Sequence, residues 1–118
     1  MPAGRYDIIA DQGSTFSRDL RYLDGAGDPI DLTNYTAAMQ VRESYTAGTT
    51  LLALSSEGSA PSITLGTTDG LITVEVAATT MEAIAAGVFV YDLELTDDAG
   101  VVVKPVRGQF EVRPEVTR

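Results

Sequence analysis

The chain contains no cysteine, no histidine and no tryptophan. Without cysteine there can be no disulfide and no thiolate nucleophile. The further loss of histidine removes the usual zinc sites and the commonest general base near neutral pH. Most familiar catalytic designs go with them, so no enzymatic activity, cofactor or metal is expected. No apolar run approaches the roughly 18 residues of a membrane helix, and the opening residues Met1 to Asp7 lack a basic segment followed by an apolar stretch. Neither membrane insertion nor export by an ordinary signal is expected. Positive charge is also scarce: eight Lys and Arg stand against 17 Asp and Glu, for a net charge of -9, and the basic residues are scattered from Arg5 to Arg118. That balance repels phosphate backbones and argues against a nucleic-acid partner.

What is present is an ordinary globular composition, 44% hydrophobic and 21% charged, in 118 residues. This is enough for a single domain with one core, spanning residues 1–118, and it is unlike the low-hydrophobicity, high-charge pattern of disorder. The dominant signal along it is period-two alternation in short segments divided by Gly- and Asp-rich turns, which reads as strands. The expected strands are Tyr6 to Ala10, a second carrying Phe16, Leu20 and Tyr22 on one face, Tyr35 to Arg42, Leu51 to Leu54, Ser62 to Leu65, Leu71 to Val76, Val88 to Thr96, and Val101 to Val112. Asp24 to Pro29, Thr67 to Gly70 and Asp97 to Gly100 carry the chemistry of turns. One short helix is expected near residues 80–86, capped by Thr79 with Glu82 in a capping box and stopped at Gly87.

Seven or eight strands at this spacing favour an all-β fold, an antiparallel two-sheet β-sandwich of immunoglobulin-like type. Its core should include Phe16, Leu20, Met39, Val41, Ile72, Val74, Phe89, Tyr91, Leu93 and Leu95, the inward members of the alternating strands. Pro105 removes a ladder donor from an otherwise strand-like run, which places that strand at a sheet edge or gives it a bulge.

Candidate chemistry is thin. Asp24 with Asp28, and Asp97 with Asp98, could offer carboxylates to calcium, but neither has the ligand count of a recognised loop, and tight turns select Asp and Gly on backbone grounds. Asp92 and Glu94 supply the two carboxylates of a glycosidase without a second catalytic element. Tyr22, Tyr35, Phe89 and Tyr91 fall on alternating apolar faces and read as core, whereas Tyr45 sits in a polar loop, Glu43 to Thr50, where an exposed aromatic can anchor a contact. The last residues, 113–118, read as a short extended tail suited to pairing with a neighbour's sheet edge, with Val112 and Val116 as its apolar members. Tyr45, Pro105, Arg113, Val116 and Arg118 are therefore the candidate interface residues.

Taken in order, Gln12-Gly-Ser-Thr-Phe16, Asp24 to Leu32 (DGAGDPIDL), Met39-Gln-Val-Arg42, Gly87 to Leu95 (GVFVYDLEL), and Gly108 to Val112 with Val116 to Arg118 resemble a type of small tailed-bacteriophage virion accessory protein. The pattern is similar to the N-terminal β-sandwich domain of siphophage upper baseplate proteins and covers nearly the whole chain. The resemblance implies a non-enzymatic β-sandwich protein of the virion, made in the host cytoplasm, that attaches in several copies to other virion proteins, with the place of attachment open between tail and capsid; the leading expectation is the tail, baseplate or neck. The sequence departs from the upper baseplate proteins by stopping where they continue into a coiled or receptor-directed region, so the resemblance does not extend to direct host recognition. A capsid cement or decoration protein would share the small, acidic, cysteine-free, β-rich character. A carbohydrate-binding module is the reading from a different class, and the lack of tryptophan counts against it.

Overall fold

A computed structural model of the chain describes residues 4–58 and 61–115. Among the described residues nine strands and one helix follow in the order β1 (Gly4–Arg5), β2 (Ile8–Asp11), β3 (Phe16–Arg21), β4 (Thr36–Arg42), β5 (Thr50–Ser55), β6 (Ile63–Leu65), β7 (Leu71–Val76), α1 (Ala78–Glu82), β8 (Gly87–Thr96) and β9 (Val102–Arg113). The larger sheet runs β1-β9-β8-β4-β5, with β2 also pairing β9; the smaller runs β3-β7-β6. Inward residues of both sheets form one core, bridged where the Phe16 ring of the small sheet meets Phe110 of the large one edge-to-face at 5.5 Å. The chain is therefore all-β with two sheets, an arrangement compatible with a sandwich.

Alternation drives this packing directly. In β4, Ala37, Met39 and Val41 are buried while Thr36, Ala38 and Gln40 are exposed, and in β8, Phe89, Tyr91, Leu93 and Leu95 are buried. Nine of the ten expected core residues are buried; Leu20 is only partly buried, because β3 closes one side of the small sheet and leaves that end of the strand near its margin.

Three expectations are corrected, and one alternative is decided. The sheets are not wholly antiparallel, since β1 and β2 both pair parallel with β9. Seven or eight strands become nine, partly because Tyr6 and Asp7 divide the first expected strand from the two-residue β1. The helix starts earlier, at Ala78, and ends at Glu82; its N-cap is Ala77, whose carbonyl accepts from the amides of Thr80 and Met81, and no side chain caps it. Core contact prevails over capping here, since Met81 and Ile84 are buried and hold the turn against the two-sheet core. Of the two settings expected for the Pro105 strand, an edge or a bulge, the edge does not apply: β8 flanks β9 on one side, and β1 and β2 on the other. Pro105 instead lies at a bulge, where Leu93 pairs Val106 but Leu95 pairs Val103, so Lys104 and Pro105 together oppose Glu94.

The step between β1 and β2 is tied to β9 by side chains. Tyr6 donates its amide to the Arg107 carbonyl, the Asp7 carboxylate accepts from the Gln109 amide, and the Tyr91 hydroxyl donates to the Tyr6 carbonyl. The Gln109 amide, and after it Arg5, hold the Asp7 carboxyl below the ordinary aspartate value despite the opposing cost of its surroundings. Burial, with smaller repulsion from Tyr6 and Asp7, pushes the Tyr91 hydroxyl well above its ordinary value. Because Tyr91 is raised in the folded state, its contribution is fully present below the unfolded tyrosine value of about 10 and is lost as pH climbs from there towards the folded value. Thermal melts across that alkaline window should fall for the parent and fall less for Tyr91→Phe. At neutral pH the same variant should lose about 1 kcal/mol with its hydrogen bond. Parallel alkaline slopes for the two proteins would show that Tyr91 is not the group responsible.

Candidate functional site

The outward residues of β4, β8 and β9 build an open face on the large sheet. There Gln40, Arg42, Asp92, Glu94 and Lys104 border a depression of about 290 Å³, overhung at one side by Tyr45. The local sequence explains the overhang: the guanidinium of Arg42, at the last position of β4, donates to the Ala47 carbonyl at 2.7 Å and to Gln40 Oε1 at 2.8 Å. It thereby straps the 43–49 loop to the sheet and leaves Tyr45 62% exposed. Lys104 Nζ meets Asp92 Oδ2 at 3.4 Å. Asp92 and Glu94 thus stand on an open sheet face with one of them engaged by a lysine, a setting that explains their outward placement on β8 without any chemistry.

The other sequence-derived candidates do not join Tyr45. Pro105 lines a separate, more apolar depression of about 260 Å³ with Tyr6, Leu20, Tyr22 and Val106, between β3 and β9. Arg113 is the last residue of β9, the Cα partner of Asp11, and its carbonyl accepts from the Gln12 amide. It belongs to the sheet and not to a tail. Val112 is buried and paired on both sides, to Gly87 and to Ala10, so it cannot add to a neighbour's edge. Val116 and Arg118 lie outside the described residues.

The turn acids are committed to backbone. Asp24 Oδ1 accepts from the amides of Ala26 and Asp28, and Asp97 Oδ1 accepts from those of Ala99 and Val101 in the same pattern. Among the described residues no group of three or more acidic side chains is placed to hold a cation. Millimolar calcium is accordingly expected to leave the melting temperature unchanged. A calcium-dependent rise abolished by Asp24→Asn or Asp97→Asn would overturn that expectation.

A further feature escapes any reading of charge along the chain. Strands hold seven of the eight basic residues and only six of the 17 acidic ones; the remaining eleven acids lie in connections or α1. The eighth basic residue is Arg118, outside the described residues. The strand surfaces are thus close to electrically neutral, while the connections carry the acidity.

No family model matches the chain, and no curated protein matches it.

Proposed function

We propose that the protein is a non-enzymatic structural or adaptor subunit of a tailed-phage virion, placed at the tail, baseplate or neck, where several copies bind other virion proteins. The observation that carries this reading is the partition of charge. A net charge of -9, with eleven of the 17 acidic residues outside the strands, keeps free copies apart in solution. Near-neutral strand surfaces, by contrast, let subunits pack side by side without like-charge repulsion. Contacts that are individually weak suffice in such a setting, because several copies on one particle raise avidity by about 10²–10⁴.

We further propose that the fold is of immunoglobulin-like type. Strand order β3-β7-β6 in one sheet and β9-β8-β4-β5 in the other supports this reading, with the strands taken as B-E-D and G-F-C-C′. The short helical turn then falls in the E–F connection, between β7 and β8.

The test is the location of the protein in purified phage particles, by protein mass spectrometry and a cryo-EM map. Several copies at the tail, baseplate or neck are expected. Copies distributed over the shell would favour the capsid-cement reading, and absence from particles would reject both. In parallel, Tyr45→Ala should fold like the parent and reduce incorporation. A cut that removes the chain end belongs after Glu115, since Arg113 is part of β9.

A further inference from the structure

A two-sheet protein must manage every strand that ends a sheet, since unpaired amides and carbonyls there recruit other chains. Three of the four sheet margins in this fold carry recognisable guards. On the β1/β2 side the strands are two and four residues long and interrupted at Tyr6 and Asp7. In addition, Arg18 reaches across from β3 to donate to the Ile9 carbonyl at 3.1 Å and to the Tyr6 hydroxyl at 3.0 Å. β3 itself carries Arg18, Asp19 and Arg21. β6 is three residues long and follows Pro61 closely.

The fourth margin is different. β5 reads Thr-Leu-Leu-Ala-Leu-Ser over Thr50–Ser55, without a charge or a proline, and it ends the large sheet. Its one irregularity, at Leu51, lies at its start. Among the described residues, the backbone bond made on its outer side is that from the Ser62 amide to the Ser55 carbonyl, at its last residue. The side chains are already sorted: Leu52 and Leu54 point into the core, while Ala53 is exposed on the same face as Gln40 and the Tyr45 loop.

We propose that β5 is the strand-addition edge of this protein, and that its occupant is an extended apolar segment of another protein flanked by lysine or arginine. This deepens the adaptor reading and rests on it. Main-chain ladder bonds would supply the affinity, and branched apolar residues at alternate positions would continue the rows begun by Leu52 and Leu54. The flanking charge follows from the connections on either side of β5, where Glu43, just after β4, and Glu57, just after β5, are exposed, while the guanidinium of Arg42, the Cα partner of Thr50, is already engaged by Gln40 and the Ala47 carbonyl. A second copy pairing antiparallel through its own β5 would bring the Glu57 end of one strand beside the Glu43 loop of the other, setting like charges together. A basic-flanked strand relieves both.

The test uses the whole protein and a fluorescein-labelled synthetic peptide, Lys-Lys-Val-Thr-Val-Thr-Val-Lys-Lys, read by fluorescence anisotropy and by amide shifts in NMR spectra. Saturable binding is expected, with shifts centred on β5. It should weaken by about tenfold when glutamates replace the flanking lysines, a difference of about 1.4 kcal/mol. It should be lost when alternate peptide amides along one edge are N-methylated. Ala53→Lys should weaken it by a similar factor with the melting temperature unchanged. If that variant loses stability, Glu57→Lys, at an exposed position just beyond the end of β5, serves in its place. Absence of saturable binding at about 1 mM peptide, equal affinity for the glutamate-flanked peptide, or shifts centred elsewhere would overturn the proposal. Self-association abolished by Ala53→Lys would overturn it in favour of pairing between copies. Particle location is measured independently: a virion protein that ignores the peptide rejects the edge alone, and a peptide binder absent from virions rejects the virion reading.

Discussion

Phe110→Ala is expected to lower the unfolding free energy by about 3–5 kcal/mol, the cost of removing a buried aromatic side chain together with the cavity it leaves. Phe110 is fully buried on β9 and sits where the two sheets meet, edge-to-face with Phe16 at 5.5 Å and with Tyr91 at 6.4 Å. Its Cα partners are Ile8 on one side and Phe89 on the other, so the cavity would open between four strands at once. Against a total of about 5–15 kcal/mol for a domain, the loss would place the variant near its unfolding threshold. Phe89→Ala should cost less, because Phe89 keeps 9% of its surface exposed beside the start of β8. Urea titrations check both. Equal midpoints for Phe110→Ala and the parent would mean that the two sheets do not share this contact.

Gly108→Ala should cost about 1–3 kcal/mol although it adds a single methyl group, because the surroundings leave no room for one. A Cβ at Gly108 would overlap the Tyr6 carbonyl oxygen and approach Asp7 Oδ1 to 2.8 Å. The carbonyl is already held by the Tyr91 hydroxyl and the carboxylate by the Gln109 amide. Neither can retreat without giving up its bond. The strain should therefore be relieved by loosening β1 and β2 from β9. Hydrogen exchange is expected to accelerate at Ile8 to Asp11 while β4 and β8 retain their protection. Gly48→Ala, at a site with nothing within 4 Å, is the matched control and should leave both readouts unchanged. Uniform acceleration across all strands would show that Gly108 matters to the whole fold and not to this junction.

The same junction illustrates why part of the fold was hidden. The Gly108-Gln-Phe-Glu-Val112 segment shows its own alternation, with Phe110 and Val112 inward, yet nothing in it announces that a strand about a hundred residues earlier lies parallel beside it. Pro105 shows the opposite limit. Proline in a strand implies an edge or a bulge, and only the register between β8 and β9 chooses the bulge. The bounds and cap of the helix were hidden for a third reason. Thr79 and Glu82 form a plausible capping pair by spacing, but burial of Met81 and Ile84 decides where the turn sits.

The candidate site was legible to a similar degree. Tyr45 stood out as an aromatic in a polar loop and is exposed, but its strap, Arg42 to the Ala47 carbonyl, requires the loop to fold back on β4. The tail assignment failed at Arg113, which the ladder with β2 draws into the sheet. The sorting of charge between strands and connections needed only correct strand boundaries.

By itself the sequence determined which segments are strands, which of their faces is inward and where the chain turns. These properties are local: side chains alternate with period two, and Asp and Gly satisfy turn backbones within four residues. Tertiary structure alone decided which strands are neighbours, that β2 runs parallel to β9, and that β5 ends the large sheet. Alternation fixes a strand's face but is blind to its partner, because every inward face is apolar and every backbone can form a ladder. The partner is chosen by long-range fit, such as the room at Gly108 for the Tyr6 carbonyl and the meeting of Phe16 with Phe110, which exists only once both sheets are in place.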